Sequence, residues 1–124
     1  MFEAQMLMAT GTGASAYSVF SPWFPRGGNN LRATLELINS AASADRISLG
    51  VTTKALDETG DGTDVAGSID LDGSDVGTVD QRQTGEFAGT LKDLVRYKFT
   101  VQGTAGNWVL FRTLAPVWFD DVEA

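Results

Sequence analysis

Hydrophobic and polar residues alternate along several short stretches of the chain. In residues 31–38, Leu and Ala alternate with Arg, Thr and Glu until the final isoleucine. The same period of two recurs in residues 47–51 and most clearly in residues 95–102. Successive side chains of a strand point to opposite faces of its sheet, so this period predicts β-strands with one buried face.

The stretch at residues 108–111 is apolar on both sides. Trp108 and Leu110 share one side of the predicted strand, and Val109 and Phe111 share the other. A strand buried on both faces, or covered by a partner on one of them, has this pattern. The glycines of residues 102–107 are typical of a hairpin loop, which predicts that residues 95–101 pair with residues 107–114.

Helical signals are confined to one short turn around Leu91, because neighbouring glycines disfavour a longer helix. Residues 57–83 are rich in Gly, Asp, Ser and Thr, and only "AGSIDL" and "VGTVDQ" look like short strands there. Short strands separated by turn residues predict an all-β fold, an antiparallel β-sandwich or jelly-roll-like domain with long Gly/Asp-rich loops. Residues 1–124 are expected to form one domain, with residues 1–16 as a first strand or an N-terminal arm.

The composition argues against catalysis. The chain has no cysteine and no histidine. This excludes disulfides and thiol nucleophiles, and it removes the commonest general base and the commonest zinc ligand. We therefore expect no enzyme activity, no catalytic residue and no cofactor.

The formal net charge of −7 disfavours a phosphate-rich partner. No nucleic-acid partner is expected. A membrane-spanning segment is not expected either, because no run approaches the roughly 20 apolar residues that a spanning helix needs. The first residues lack a basic region, so they do not read as a secretory signal.

Two aspartate-rich loops suggest a calcium site. In "DETGDGTD", Asp57 and Asp61 precede a glycine as in the first half of an EF-hand loop, and Asp72 lies in the second loop. The EF-hand pattern then fails, because Ser68 stands where a bidentate glutamate is needed. The alternative is that Asp-Gly pairs simply form tight turns, and this interpretation is favoured.

Aromatic residues next to prolines lie near both ends of the chain, in "SPWFPRGGNN" and "LAPVWFDD". They could belong to the core of one chain, or they could anchor the chain to a partner, since aromatics are enriched at interface cores. Exposed rings on a β-sandwich could also stack on sugars. The predicted interface residues are Trp23, Phe24, Pro25, Trp118 and Phe119.

The chain resembles the small β-sandwich structural proteins of tailed bacteriophages and phage-like particles, the head decoration or accessory capsid proteins. The resemblance rests on "SPWFPRGGNN", "TKALDETGDGT" and the closing "LVRYKFTVQG…NWVLFRTLAPVWFDD". It covers most of the chain and includes no motif of chemical specificity.

The resemblance implies a non-enzymatic accessory or decoration component of a virion or extracellular particle. Such a protein would associate with itself as a homo-oligomer and with other capsid or particle proteins. On this interpretation, Trp118→Ala should disrupt assembly and leave the fold largely intact. The alternative function is a carbohydrate-binding module with exposed tryptophans and a calcium loop.

Overall fold

The computed structural model describes residues 6–120, which form eleven β-strands and two short 3₁₀ turns. Turns with Asp, Ser and Gly separate most of the strands. The strands are β1 (Leu7–Thr10), β2 (Gly13–Phe20), β3 (Phe24–Pro25), β4 (Asn30–Ser40), β5 (Arg46–Lys54), β6 (Thr63–Asp64), β7 (Ile69–Asp72), β8 (Arg82–Phe87), β9 (Leu94–Gly103), β10 (Trp108–Thr113) and β11 (Val117–Phe119). The 3₁₀ turns cover Gly73–Asp75 and Val79–Gln81.

Two antiparallel sheets pack face to face. Sheet I has the order β1-β10-β4, with β8 on the far edge of β4 and β11 continuing the line of β10. Sheet II has the order β2-β9-β5, with β3 in line with β2, and with β6 and β7 together on the far edge of β5. The all-β antiparallel sandwich predicted from the alternating pattern is confirmed.

The strand order is that of a jelly roll. When strands that lie in line are counted as one, each sheet has four positions. We number the eight positions in the order in which the chain visits them. Their order across the sheet is then 1-8-3-6 in sheet I and 2-7-4-5 in sheet II. The chain therefore changes sheets at most of its connections, as in the double-sheet folds of capsid and lectin domains.

The core is formed by the inward faces of the predicted strands. Leu31, Ala33, Leu35 and Leu37 of β4 are completely buried, and the inward residues of β5 and β9 join them. Phe99 of sheet II meets Phe111 of sheet I with ring centroids 5.0 Å apart. Burying one face of each sheet in this way supplies the main driving force for folding.

The predicted hairpin between residues 95–101 and 107–114 is wrong. β9 pairs with β2, β3 and β5 in sheet II, whereas β10 pairs with β1 and β4 in sheet I. Residues 104–107 therefore carry the chain across the sandwich from one sheet to the other. Both strands find their neighbours elsewhere, and a glycine-rich loop permits either connection.

Three smaller predictions also differ from the structure. The segment around Leu91 is irregular, and no helical turn forms there. The fragment "VGTVDQ" contains a 3₁₀ turn, while "AGSIDL" does contribute strand β7. Within the predicted arm, Leu7–Thr10 forms β1 and residues 13–16 begin β2, whereas residues 1–5 lie outside the described residues. In the stretch from residue 6 to residue 120, no helix is long and apolar enough to cross a membrane.

Candidate interaction surfaces

The aromatic turn near the N-terminus packs against the C-terminal strand of the same chain. Phe24 lies edge-on to Trp118, with ring centroids 6.3 Å apart, and edge-on to Tyr97 at 5.5 Å. Phe24 and Trp118 are half-buried and contact the core cluster. The turn at Phe24 and the last described strand thus close one end of the sandwich, and the buried part of these two rings is used within one chain.

The glycines after this turn make room for the indole. A Cβ at Gly27 would stand 2.6 Å from Cδ1 of Trp118, closer than side-chain carbons approach one another. The Asn29 amide donates to the Asp120 carboxylate at 2.8 Å. The remaining predicted interface residues, Pro25 and Phe119, are exposed and half-buried respectively. An interface role for these residues remains a prediction.

Trp23 lies on a different surface, the outer face of sheet II. The Arg96 guanidinium stands 4.4 Å from the Trp23 ring and 3.9 Å from the Phe20 ring, and Lys54 lies 4.6 Å from Trp23. The Arg96 side chain is only 12% exposed. This cation–π cluster fixes the rings in place and occupies part of their surface.

The three tryptophans do not form a common platform for a sugar. Trp118 packs between the sheets, Trp23 lies under cations on sheet II, and Trp108 faces outward on sheet I. The alternation in β10 is clear, because Val109 and Phe111 are buried whereas Trp108 and Leu110 are partly exposed. The sugar site expected from stacked tryptophans is therefore absent from the described part of the chain.

The aspartates of the two loops serve local structure. Asp72 caps the first 3₁₀ turn, and its hydrogen bonds from Ser74 hold the pKa of this carboxyl below its ordinary value. Asp61 lies 3.6 Å from Arg96, and Asp57 is exposed. Among residues 6–120, no group of three or more His, Cys, Asp or Glu side chains is arranged to hold a metal ion.

The two sides of the sandwich differ sharply in charge. On one side lie the edge strands β6, β7 and β8, whose sequences TD, IDLD and RQTGEF all carry charges. On the other side lie the edge strands β1 and β2, whose sequences LMAT and GASAYSVF carry none. Charges on an edge strand oppose pairing with another sheet, so only the first of these sides is protected in this way.

Exposed apolar side chains concentrate on that second side, which we call the uncharged edge (β1 and β2). Met8 on β1 is 67% exposed, and Phe20 on β2 is 45% exposed. Met6 and Val19 are exposed beside them. On the outer face of sheet I, Met8 is next to Leu110 in the register, which extends the apolar surface onto β10.

The outer face of sheet II carries a polar groove. Its residues come from β5, β9, β7 and the segment that links β6 to β7. Two adjoining recesses of about 200 and 280 Å³ share Ser48 and Thr100. Asp64 of β6 also lines the groove. The groove-lining residues used below are Arg46, Ser48, Gly50, Asp64, Val65, Gly67, Ser68, Asp70, Lys98, Thr100 and Gln102.

Hydroxyl groups and a carboxylate form a continuous row across this groove. Ser18, Thr100, Ser48 and Asp70 are neighbours in the register of four adjacent strands. The Ser18 and Thr100 hydroxyls are 3.1 Å apart, and Ser48 donates to Asp70 at 2.6 Å. Each hydroxyl can make more hydrogen bonds than these, so the row retains capacity for a ligand.

Sequence reasoning missed both the uncharged edge and the polar groove. The signal for the edge was present, because the first strands lack charges, but nothing local indicates that they lie at sheet edges. The groove had one visible signal, Gly50 in the middle of the alternating stretch 47–51, since a glycine weakens a strand unless its position needs one.

Comparison of this chain with protein-family models, with curated proteins and with solved structures finds no significant match. The function must therefore be inferred from the fold and the surfaces themselves.

Proposed function

We propose that this protein is a non-enzymatic structural component of a virion or related particle, an accessory protein that associates with copies of itself and with the particle lattice. The observation that carries the proposal is the uncharged edge. A jelly-roll domain with one charged and one uncharged side is suited to association in a single direction.

The proposed contact is strand pairing between copies. β1 and β2 each have a strand neighbour on one side only within residues 6–120. The Thr10 carbonyl already accepts a hydrogen bond from the Tyr17 hydroxyl, so the proposed pairing uses other backbone groups of these strands. Pairing of an edge strand with the same strand of a second copy would extend a sheet and bury the exposed Met8 side chain. Such a contact is isologous, and a two-fold dimer is the simplest assembly that it forms.

The apolar side chains add to this contact. Met6, Met8, Val19 and Phe20 lie on the uncharged edge, and the area that they expose is removed from water when the edge is covered. The formal net charge of −7 favours solubility of the free protein. No residue is assigned a catalytic role, and no metal or cofactor is required.

The test is the solution mass, measured by light scattering over a range of concentrations. We expect a defined oligomer for the wild-type protein and a monomer for Met8→Lys and Ala16→Lys, which place a charge on β1 and on β2. Thr84→Lys is the matched control, because β8 already carries charges. The oligomeric state of this variant should be that of the wild type. A wild-type monomer at all concentrations would contradict self-association.

A second experiment tests attachment to the particle. Purified protein is mixed with particles stripped of their accessory proteins, and bound protein is measured after sedimentation. Wild-type protein should sediment with the particles, whereas the variants that are monomeric should bind less. Equal binding by all variants would show that the uncharged edge is not the attachment surface.

A further inference from the structure

Gly50 occupies a position where no feature of the chain itself calls for a glycine. It lies in the middle of β5 with continuous pairing to β9, so no bulge is present there. Its φ is outside the left-handed region. An added Cβ would meet only the Lys98 carbonyl oxygen, at 3.8 Å, which is an ordinary contact distance.

The other glycines differ in this respect. All fourteen lie within the described residues, and seven of them have a positive φ. Of the rest, Gly27, Gly28, Gly73, Gly85, Gly11 and Gly103 would each bring a Cβ within 3.2 Å of another atom. Only Gly50 has neither a positive φ nor a neighbouring atom close enough to exclude a Cβ. A strand glycine without a bulge or a close neighbour is typical of a place where a ligand approaches the backbone.

The space above Gly50 is the floor of the polar groove. Ser48 and Thr100 stand on one side of it, and Gly67 belongs to the segment that forms the wall. The Lys98 side chain extends from β9 across β5 to within 3.9 Å of Asp64 on β6. We propose that this groove binds a neutral carbohydrate, with one sugar ring seated over Gly50.

The charges of the groove select a neutral ligand. Arg46 and Lys98 contribute two positive charges, and Asp64 and Asp70 contribute two negative ones. Lys98 lies 3.9 Å from Asp64, and Asp70 accepts hydrogen bonds from Ser48 and Ser68. An anion or a cation would therefore be repelled by as many side chains as attract it, whereas a neutral molecule is not repelled by any of these charges.

The hydrogen-bonding groups suit a polyol. Sugar hydroxyls both donate and accept, and the groove offers carboxylate acceptors, ammonium and amide donors, and hydroxyls that do both. The glycine floor and the Val65 wall provide apolar surface for the C–H face of a ring.

A peptide is a poorer fit to the same groove. Both edges of β9 are already paired along this stretch, and β5 pairs with β9 on one edge and with β6 and β7 on the other. An extended peptide therefore has no strand edge to join inside the groove. The two adjoining recesses of about 200 and 280 Å³ provide the space proposed for saccharide rings.

The experiment is titration calorimetry with a panel of neutral disaccharides, namely lactose, maltose, cellobiose and sucrose, alongside inorganic phosphate and glucuronate. We expect millimolar or tighter binding of at least one neutral disaccharide and none of phosphate or glucuronate. Gly50→Leu should weaken that binding by at least about tenfold, because the new side chain fills the floor of the groove. Its thermal midpoint should equal or exceed that of the wild type.

Thr100→Val provides a second variant with a matched control. It removes one hydroxyl from the row in the groove, whereas Thr34→Val removes the equivalent cross-strand hydroxyl contact, 2.9 Å to Thr84, on the outer face of sheet I. Binding should weaken in the first and stay unchanged in the second. The proposal is overturned if no neutral disaccharide binds, if Gly50→Leu binds as well as the wild type, or if only the anions bind. None of these outcomes bears on self-association, which the solution mass measures separately.

Discussion

Trp118 lies directly on Gly27, so that the last described strand and the N-terminal aromatic turn lock together at one end of the sandwich. A Cβ on Gly27 would lie 2.6 Å from Cδ1 and 2.8 Å from Nε1 of the indole. The glycine is thus required by the tryptophan. This pairing changes the expectation for Trp118→Ala, which the sequence pattern assigned to assembly alone.

We expect Trp118→Ala to destabilise the fold by about 2–4 kcal/mol, because it removes a half-buried ring from Phe24 and the core. Gly27→Ala should cost about 1–3 kcal/mol through crowding of the indole. The double variant should cost less than the sum, since the crowded ring is absent from it. Denaturant unfolding of the four proteins measures this cycle, and strict additivity would show that the two residues do not interact in solution.

Substitution of Gly50 is expected to stabilise the fold, in contrast to the substitutions of Trp118 and Gly27. Gly50→Val should raise the free energy of unfolding by about 0.5–1 kcal/mol, because a β-branched residue replaces glycine in a strand with open space above it. Gly85→Val is the control. Its Cβ would stand 2.7 Å from Cγ1 of Ile69, so this variant should be less stable than the wild type. A loss of stability in Gly50→Val would mean that the strand itself needs the glycine.

The cation–π cluster on sheet II should contribute to stability. Arg96→Gln is expected to cost about 1–2 kcal/mol, because Arg96 stacks on both Phe20 and Trp23 and is mostly buried. The tryptophan fluorescence should also change as the Trp23 ring loses its neighbour. Lys98 lies on the same face of β9 but does not stack on a ring of the described residues, so Lys98→Gln should have a smaller effect on both measurements.

Stability should decrease in acid partly through Glu58. The Lys92 ammonium donates to this carboxylate at 2.8 Å and, with the Ala55 amide, holds its pKa below the ordinary value of 4.5. A lowered pKa in the folded state stabilises the protein above pH 4.5, and the contribution is lost as pH falls through the folded-state pKa.

The measurement is unfolding of the wild type and Glu58→Gln at several pH values. The wild type should be the more stable at neutral pH, and the difference should shrink towards low pH as Glu58 is protonated. A difference that is constant with pH would show that the ion pair with Lys92 makes no contribution.

The strands and their inward faces could be read from the chain because the signal is local. In β4, Leu31 to Leu37 alternate with polar residues, and each of the predicted inward positions is completely buried. The absence of helices followed from the same period. The prediction of a helical turn around Leu91 was wrong. The apolar residues there have helical spacing, but this part of the chain is an irregular connection from β8 in one sheet to β9 in the other.

The surfaces could be predicted from the sequence less well than the strands. Trp23 and Trp118 share a proline-rich context, yet one lies under cations on an outer face and the other packs between the sheets. The polar groove combines residues from four strands and from the link between β6 and β7, and these residues form no motif in the sequence. Such surfaces depend on which segments become neighbours.

By itself, the sequence determined that this protein is a β-sandwich, where β4, β5, β9 and β10 lie, and which side of β4, β5 and β9 is buried, because alternation with a period of two is a property of neighbouring residues. The tertiary structure alone decided that β9 and β10 belong to different sheets. It also placed β1 and β2 at unprotected edges and brought Gly50 to the floor of a groove. Every strand offers the same backbone hydrogen-bonding groups, so the choice of partner is made by the packing of the whole chain.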